Sequence, residues 1–288
     1  MSNKILTYRD LLEKVHDADI DELADIYHCL GSLCKNSNKA IAFYKQSIEI
    51  NLQYRPIKHS LLSLTFSNLG ALLKHKGDYS EAFVYYQRAL ALASDEKIPN
   101  PLKIADYYTH IGSSLKDQGI YEKALDYFKK ALDIRQTHVS PDDFQLASNY
   151  SQLATVYRLM KKFSLSIDHY EKVLSILEEY YPFHQAFIAA TYNKIGLIYW
   201  LAKDYSKALP CQRTALKLQE EILPAHHPIL ATRHYNMAMI LEALGEFKKA
   251  INHAEQAVNI LSQTVGPHHR RLKSYRKYFD ELQKEESS

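Results

Sequence analysis

Small and bulky residues recur along this chain at one fixed interval. Gly70, Gly112, Ala154, Gly196 and Ala238 are each 42 residues apart. Ala40, Ala82, Ala124, Ser166, Ala208 and Ala250 keep the same spacing, as do Tyr79, Tyr121, Phe163, Tyr205 and Phe247. A constant period in this range marks a stack of like supersecondary units, each too small to bury its apolar face alone. Inside one unit, Phe66, Leu69, Gly70 and Leu73 fall at i, i+3, i+4 and i+7, the spacing of one helix face. Lys76-Gly77-Asp78 breaks the pattern, Gly77 suiting a helix C-terminus and Asp78 the next N-cap. Ala82, Tyr86, Ala89 and Leu90 then share one face of a second helix. Each unit therefore reads as a helical hairpin.

Six units are predicted, with first helices near Glu22–Lys35, Ser60–Lys76, Leu102–Gln118, Phe144–Met160, Gln185–Ala202 and Ile229–Leu244. Glycine inside a helix costs roughly 0.5–1 kcal/mol against alanine. Gly70, Gly112 and Gly196 are expected to accept that cost where two helix axes approach closely. The prolines fall between hairpins, Pro56 among them, where helices stop. Pro210 is the exception: it lies within the second helix of the fifth unit and predicts a kink near that helix start. Residues 1–20 read as an N-terminal helix over about residues 3–14, a degenerate repeat or a cap. Residues 21–267 carry the six repeats. Residues 268–288 hold a C-terminal capping helix and tail, with Leu272, Tyr275, Phe279 and Leu282 on its buried face. The fold class is all-α.

A hairpin with Tyr or Phe, Gly or Ala four residues on, then a ring, then A-x-x-x-[YF]-x-x-A-[LV], resembles the tetratricopeptide repeat. Phe66–Leu90 and Tyr108–Leu132 are the fullest copies. The period exceeds that family's usual length of about 34 residues. It is similar to the longer variety found in kinesin light chains and nephrocystin-type proteins. The segments Leu223–Phe247 and Thr264–His269 (TVGPHH) share that likeness. The resemblance implies a right-handed superhelical solenoid of about six antiparallel hairpins. It also implies that first helices line an inner groove that binds an extended peptide or a helix of a partner protein.

On that geometry, three periodic sets face the groove. Lys74, Lys116, Arg158, Trp200 and Glu242 form the first; its cations would attract an acidic peptide and Trp200 would stack on an apolar or aromatic side chain. Asn68, His110, Gln152, Lys194 and Asn236 form the second, in which amides that donate and accept can hold a peptide backbone. Ser67, Thr109, Ser151, Asn193 and Tyr235 form the third. The competing reading is that the cations only solvate helix ends. The Lys/Asn/Asn/Lys/Arg clamp that grips a terminal carboxylate in the chaperone-tail version of the fold matches no three consecutive units.

Composition narrows the function classes. Hydrophobic residues at 46% and charged residues at 24% are ordinary for a folded chain, and a net charge of +3 gives no reason to expect nucleic acid or an anionic membrane. The tyrosines are absorbed by ring sites of the repeat, not by base stacking. The most apolar stretch, Ala186 to Ala202, is interrupted by Asn193 and Lys194 and reads as a buried helix rather than a membrane span. Cys29, Cys34 and Cys211 make no disulfide framework, so a cytoplasmic, reducing setting is expected. His184, His226 and His268 are themselves one period apart and read as linker residues, so no metal or cofactor is implied. The basic run Arg270, Arg271, Lys273 and Arg276 reads as the solvated side of the terminal helix. No catalytic constellation is found, and an enzyme is not expected. The leading reading is a protein-interaction scaffold or adaptor binding a segment of a partner, acidic with an apolar anchor. The alternative is the interaction arm of a larger or oligomeric signalling assembly that uses its outer face or ends.

Overall fold

The computed structural model describes residues 8–15, 18–53 and 59–286. The early part of the expected N-terminal helix (residues 3–7) and Pro56 lie outside the described residues. Every regular element among the described residues is a helix. The chain divides into two compact units, Met1–Ser140 and Pro141–Ser288.

In the first unit, a short α1 (Tyr8–Lys14) precedes three hairpins. These are α2 (Ile20–Leu33) with α3 (Ser37–Gln53), α4 (His59–Lys76) with α5 (Tyr79–Ser94), and α6 (Pro101–Asp117) with α7 (Tyr121–His138). The second unit repeats the plan with α8 (Phe144–Leu159) and α9 (Phe163–Tyr180), α10 (Gln185–Leu201) and α11 (Tyr205–Ile222), and α12 (Pro228–Ala243) and α13 (Phe247–Thr264). It ends in α14 (Arg270–Glu286), which packs on α13. In each unit consecutive hairpins stack so that the second helix of one touches the first helix of the next. The six expected first helices match α2, α4, α6, α8, α10 and α12 to within two residues. α11 runs through Pro210 as one helix. α14 buries Leu272, Tyr275 and Leu282, with Phe279 partly covered.

The glycines inside first helices have a different cause from the one expected. What lies against Gly31, Gly70 and Gly112 is an aromatic ring of the partner helix, and against Gly196 the Gln212 side chain. A Cβ added at Gly70 would stand 3.0 Å from the Tyr86 ring, and at Gly112 equally close to Phe128. Tyr86 and Phe128 are fully buried, so the hairpin is held by a ring seated on a bare backbone. Only at Gly112 is the partner's backbone also close, through the Ala124 carbonyl at 3.2 Å.

The turns inside the hairpins share one hydrogen-bond motif. Asp78 N–H donates to Leu73 O and Gly77 N–H to Lys74 O, a Schellman end that needs a left-handed residue. The same two bonds recur after α6, α8, α10 and α12. Gly77, Gly119 and Gly245 supply that conformation at φ +92°, +81° and +77°. Lys161 and Lys203 adopt it without being glycine, at φ +60° and +61°. Asp78 stands at the N-cap of α5 but makes no side-chain cap bond. Inside hairpins, Asn36 accepts from Asn38 and Lys39 N–H and Asp204 from Lys207 N–H; the other side-chain caps lie between hairpins. The Asp143 carboxylate accepts from Gln145 N–H, the His227 ring from Ile229 N–H and the His269 ring from Arg271 N–H. His227 and His269, each beside one of the periodic linker histidines, thus cap helices, while His184 at the N-cap of α10 makes no side-chain cap bond.

Candidate peptide-binding groove

The repeat period places the expected site residues on first helices, and their neighbours decide what each can do. Lys74, Lys116 and Arg158 occupy the last turns of α4, α6 and α8, where a cation complements the exposed carbonyls of a helix end. In the first unit two of them also have an acid. Lys74 donates to Ser113 at 2.7 Å and pairs with Asp117 at 3.3 Å, and Lys116 reaches the other Asp117 oxygen at 3.3 Å. One carboxylate therefore serves both lysines. Nearby, the buried Arg135 of α7 donates to Asp106 and Thr109 of α6. His110 stacks on Tyr86 with centroids 5.0 Å apart and planes at 14°. His110 is exposed, and the packing around it lowers its pKa by desolvation. Asn68 is engaged with the Tyr44 hydroxyl.

The second unit uses the same positions differently. Lys194 of α10 donates to Ser151 of α8 at 3.3 Å, and its ammonium sits 5.3 Å from the centre of the Tyr170 ring. Burial lowers its pKa first, and the Arg158 guanidinium lowers it further. Tyr170, whose own pKa is raised by burial, also feels Arg158. Among the described residues neither Lys194 nor Arg158 has a carboxylate within ion-pair distance. Beside them, α8, α9 and α10 enclose a cavity of about 170 Å³. Gln152, Ser151 and Lys194 form its polar side, and Phe144, Val173 and Phe187 its apolar side. Phe187 is 54% exposed and packs edge-on against Phe144 at 5.4 Å.

The remaining expected residues divide. Asn193 is already tied: its side-chain oxygen accepts from Arg233 of α12 and its carbonyl from Gln212. Arg233 also donates to Gln219 at 2.8 Å. Trp200 and Asn236 line a second cavity, of about 220 Å³, between α10, α11 and α12. Glu242 accepts from the Tyr278 hydroxyl of α14 at 2.6 Å, and that bond adds to burial in raising the Tyr278 pKa. Residue spacing did not single out Asp117, Arg135 or Arg233, because each acts by reaching across to a neighbouring helix.

The chain is similar to known repeat proteins. The family model described as tetratricopeptide repeat matches residues 10–95, 103–179 and 187–263. No curated protein sequence matches it. Among solved structures, BtubC (BKLC) from P. vanneervenii is similar, with 22% identity over 82% of this chain and 96% of that one, at a TM-score of 0.68. A putative kinesin light chain with nearly identical TPR-like repeats, from Podosopora anserina, gives 14% identity over 69% and 95%, at 0.62. A signal transduction ATPase with numerous domains and a tetratricopeptide repeat sensor, from Pyrococcus horikoshii, gives 18% identity, 94% of this chain, 41% of that one and 0.73. These likenesses concern the fold, and neither they nor the family model point to catalysis. No helix among the described residues is long and apolar enough to cross a membrane. With the family model covering most of the chain and hairpins stacked through both units, the chain belongs to the tetratricopeptide repeat family and is a protein-interaction scaffold.

Proposed function

We propose that the second unit captures an acidic segment of a partner protein. The segment lies along α8 and α10, with a carboxylate between Arg158 and Lys194 and an apolar side chain against Phe187 and Phe144. The observation that carries this reading is the pair of cations without an acid. Lys194 is desolvated enough to lower its pKa and has another cation as neighbour, and both costs fall when an anion arrives. Gln152 stands in the same cavity with an amide able to hold a peptide backbone. A groove already formed by packed helices lowers the ordering cost of binding. In the first unit Lys74 and Lys116, the counterparts of Arg158, share the Asp117 carboxylate, so that part of the expected basic rail contributes less. The three cysteines are free thiols, in keeping with a cytoplasmic setting.

The test is a peptide array carrying acidic, neutral and basic sequences, probed with the intact chain and with the Arg158→Glu/Lys194→Glu variant. Acidic peptides should be retained by the first and lost by the second, and affinity should fall as salt rises. If both proteins select the same peptides, the groove reading fails and the outer face or the ends become the partner surface.

A further inference from the structure

The second cavity arises from a departure in the repeat. One position of the second helix seats a ring on the first helix in the first four hairpins: Tyr44, Tyr86, Phe128 and Tyr170 occupy it at intervals of 42 residues, and in the sixth hairpin it is Ala254. In the fifth hairpin that residue is Gln212. The first-helix partner is still glycine, and a Cβ at Gly196 would stand 2.7 Å from the Gln212 amide nitrogen. The Gln212 side chain lies over Gly196 where the ring lies in the earlier hairpins. Beside it, towards α12, is the cavity of about 220 Å³, lined by Leu197, Trp200, Met239 and Ile240 with Gln212 and Asn236. Cavities of about 150 Å³ with aliphatic walls hold a benzene ring.

A second observation concerns polarity. Gln212 is 2% exposed. Its amide nitrogen donates to the Asn193 carbonyl at 3.1 Å, which fixes the orientation of the amide, since an oxygen turned that way would face another acceptor. Its side-chain oxygen has no hydrogen-bond partner. A buried acceptor left unpaired is costly. The walls therefore suit an aromatic face, and the buried oxygen suits one donor.

We propose that this cavity is a binding site for a single aromatic ring carrying one hydrogen-bond donor, a phenol or an indole. The ring lies beside Gln212, among Leu197, Trp200, Met239 and Ile240, and its O–H or N–H donates to the Gln212 side-chain oxygen. The site does not depend on the Arg158 and Lys194 charges, so failure here and failure of the acidic-peptide reading are separate results.

Trp200 is the chain's single tryptophan and lines the cavity, so its fluorescence reports occupancy directly. The probes are p-cresol, toluene (the same ring without the donor) and N-acetyl-tyrosinamide, with excitation on the red edge of the indole band. p-Cresol should produce a saturable change in the intact chain, and toluene one at least about ten-fold weaker. Gln212→Tyr should abolish the p-cresol response by filling the cavity from within, Gly196 leaving room for the new ring. Gln212→Met keeps the side-chain length without the acceptor and should bring p-cresol down to the toluene level. If N-acetyl-tyrosinamide binds as p-cresol does, the natural ring is a side chain of a partner. If only p-cresol binds, it is a free small phenol. No saturable p-cresol response, an unchanged response in Gln212→Tyr, or equal binding of toluene would each overturn the proposal.

Discussion

The two units follow one repeat and satisfy it to different degrees. In the first, Lys74 and Lys116 share Asp117, and Arg135 is held by Asp106. Its ring seats are filled by Tyr44, Tyr86 and Phe128. In the second, the residues one and two periods after Asp117 are Leu159 and Leu201, and those after Asp106 are Ser148 and Ala190. The acids are gone while a cation persists at Arg158 and another stands at Lys194, where the first unit has Asn68 and His110. Of the second unit's three ring positions one holds Gln212 and one Ala254, and two left-handed turns hold lysine. Departures from local rules that keep the fold intact tend to mark functional surfaces. The first unit reads as a self-neutralised stack and the second as the side that leaves work for a ligand.

The largest expected effect tests that contrast directly. Arg158→Glu/Lys194→Glu should weaken an array-selected acidic peptide by at least about 100-fold in titration calorimetry, since reversing both charges turns attraction into repulsion. Lys74→Glu/Lys116→Glu should change it by less than about three-fold. Comparable losses from both pairs would erase the distinction between the units.

Acid should destabilise the second unit through His234. This side chain is buried on α12, with its Nδ1 2.9 Å from that of His253 on α13 and its Nε2 3.8 Å from Glu220 of α11. Burial, then the His253 ring, push its pKa down from 6.5 to about 4. The unfolded chain thus binds a proton that the folded one resists, and the penalty is absent above pH 6.5, grows as pH falls towards 4 and is constant below. His253 is lowered too, by burial first, and adds in the same direction. Burial raises the Glu220 carboxyl, which favours the folded state on further acidification and opposes the trend. Denaturant titrations at pH 7 and about pH 4.5 should show a net loss of about 2 kcal/mol, with 1.36 kcal/mol per unit as the conversion. His234→Gln should flatten the slope; an unchanged slope would exclude this histidine as its source.

Installing the missing acid sharpens the comparison from the other side. Lys116 and Asp117 are adjacent, as are Arg158 and Leu159. Leu159→Asp should give Arg158 the counter-charge that Lys116 has, and lower acidic-peptide affinity by about ten-fold, or roughly 1.4 kcal/mol. An affinity that stays level would mean that Arg158 does not touch the ligand.

The hairpins were legible because periodicity fixes which helix face a residue occupies. The helix expected at Gln185–Ala202 spans Gln185–Leu201, and that expected at Ile229–Leu244 spans Pro228–Ala243, beginning one residue earlier because proline is tolerated at a first helical position. Periodicity does not say which side chain arrives from the neighbouring helix. Asn193 lies on a first helix as expected, and its side chain is taken by Arg233. Lys74 and Lys116 lie on theirs and pair with Asp117. The glycine positions were legible and their cause was not, since a side chain thirteen or sixteen residues onward had to be placed against them. Gln212 stands out only once that ring seat is known.

The smallest effect concerns the turns. Unit one closes its second and third hairpins with Gly77 and Gly119, and unit two closes its first two with Lys161 and Lys203, in the same Schellman geometry. A Cβ in the left-handed region costs about 1–2 kcal/mol in regular helical geometry, and glycine's greater freedom in the unfolded chain returns part of that. Lys161→Gly and Lys203→Gly should therefore each stabilise by about 0.5–1 kcal/mol in denaturant titrations. Gly119→Lys should destabilise by a similar amount, through strain alone, since nothing lies within 4 Å of a Cβ there. If the lysine replacements are instead neutral while acidic-peptide binding drops, Lys161 and Lys203 are retained for their charge. The strain at these turns would then belong with the unpaired cations of Arg158 and Lys194, as part of the difference between the units.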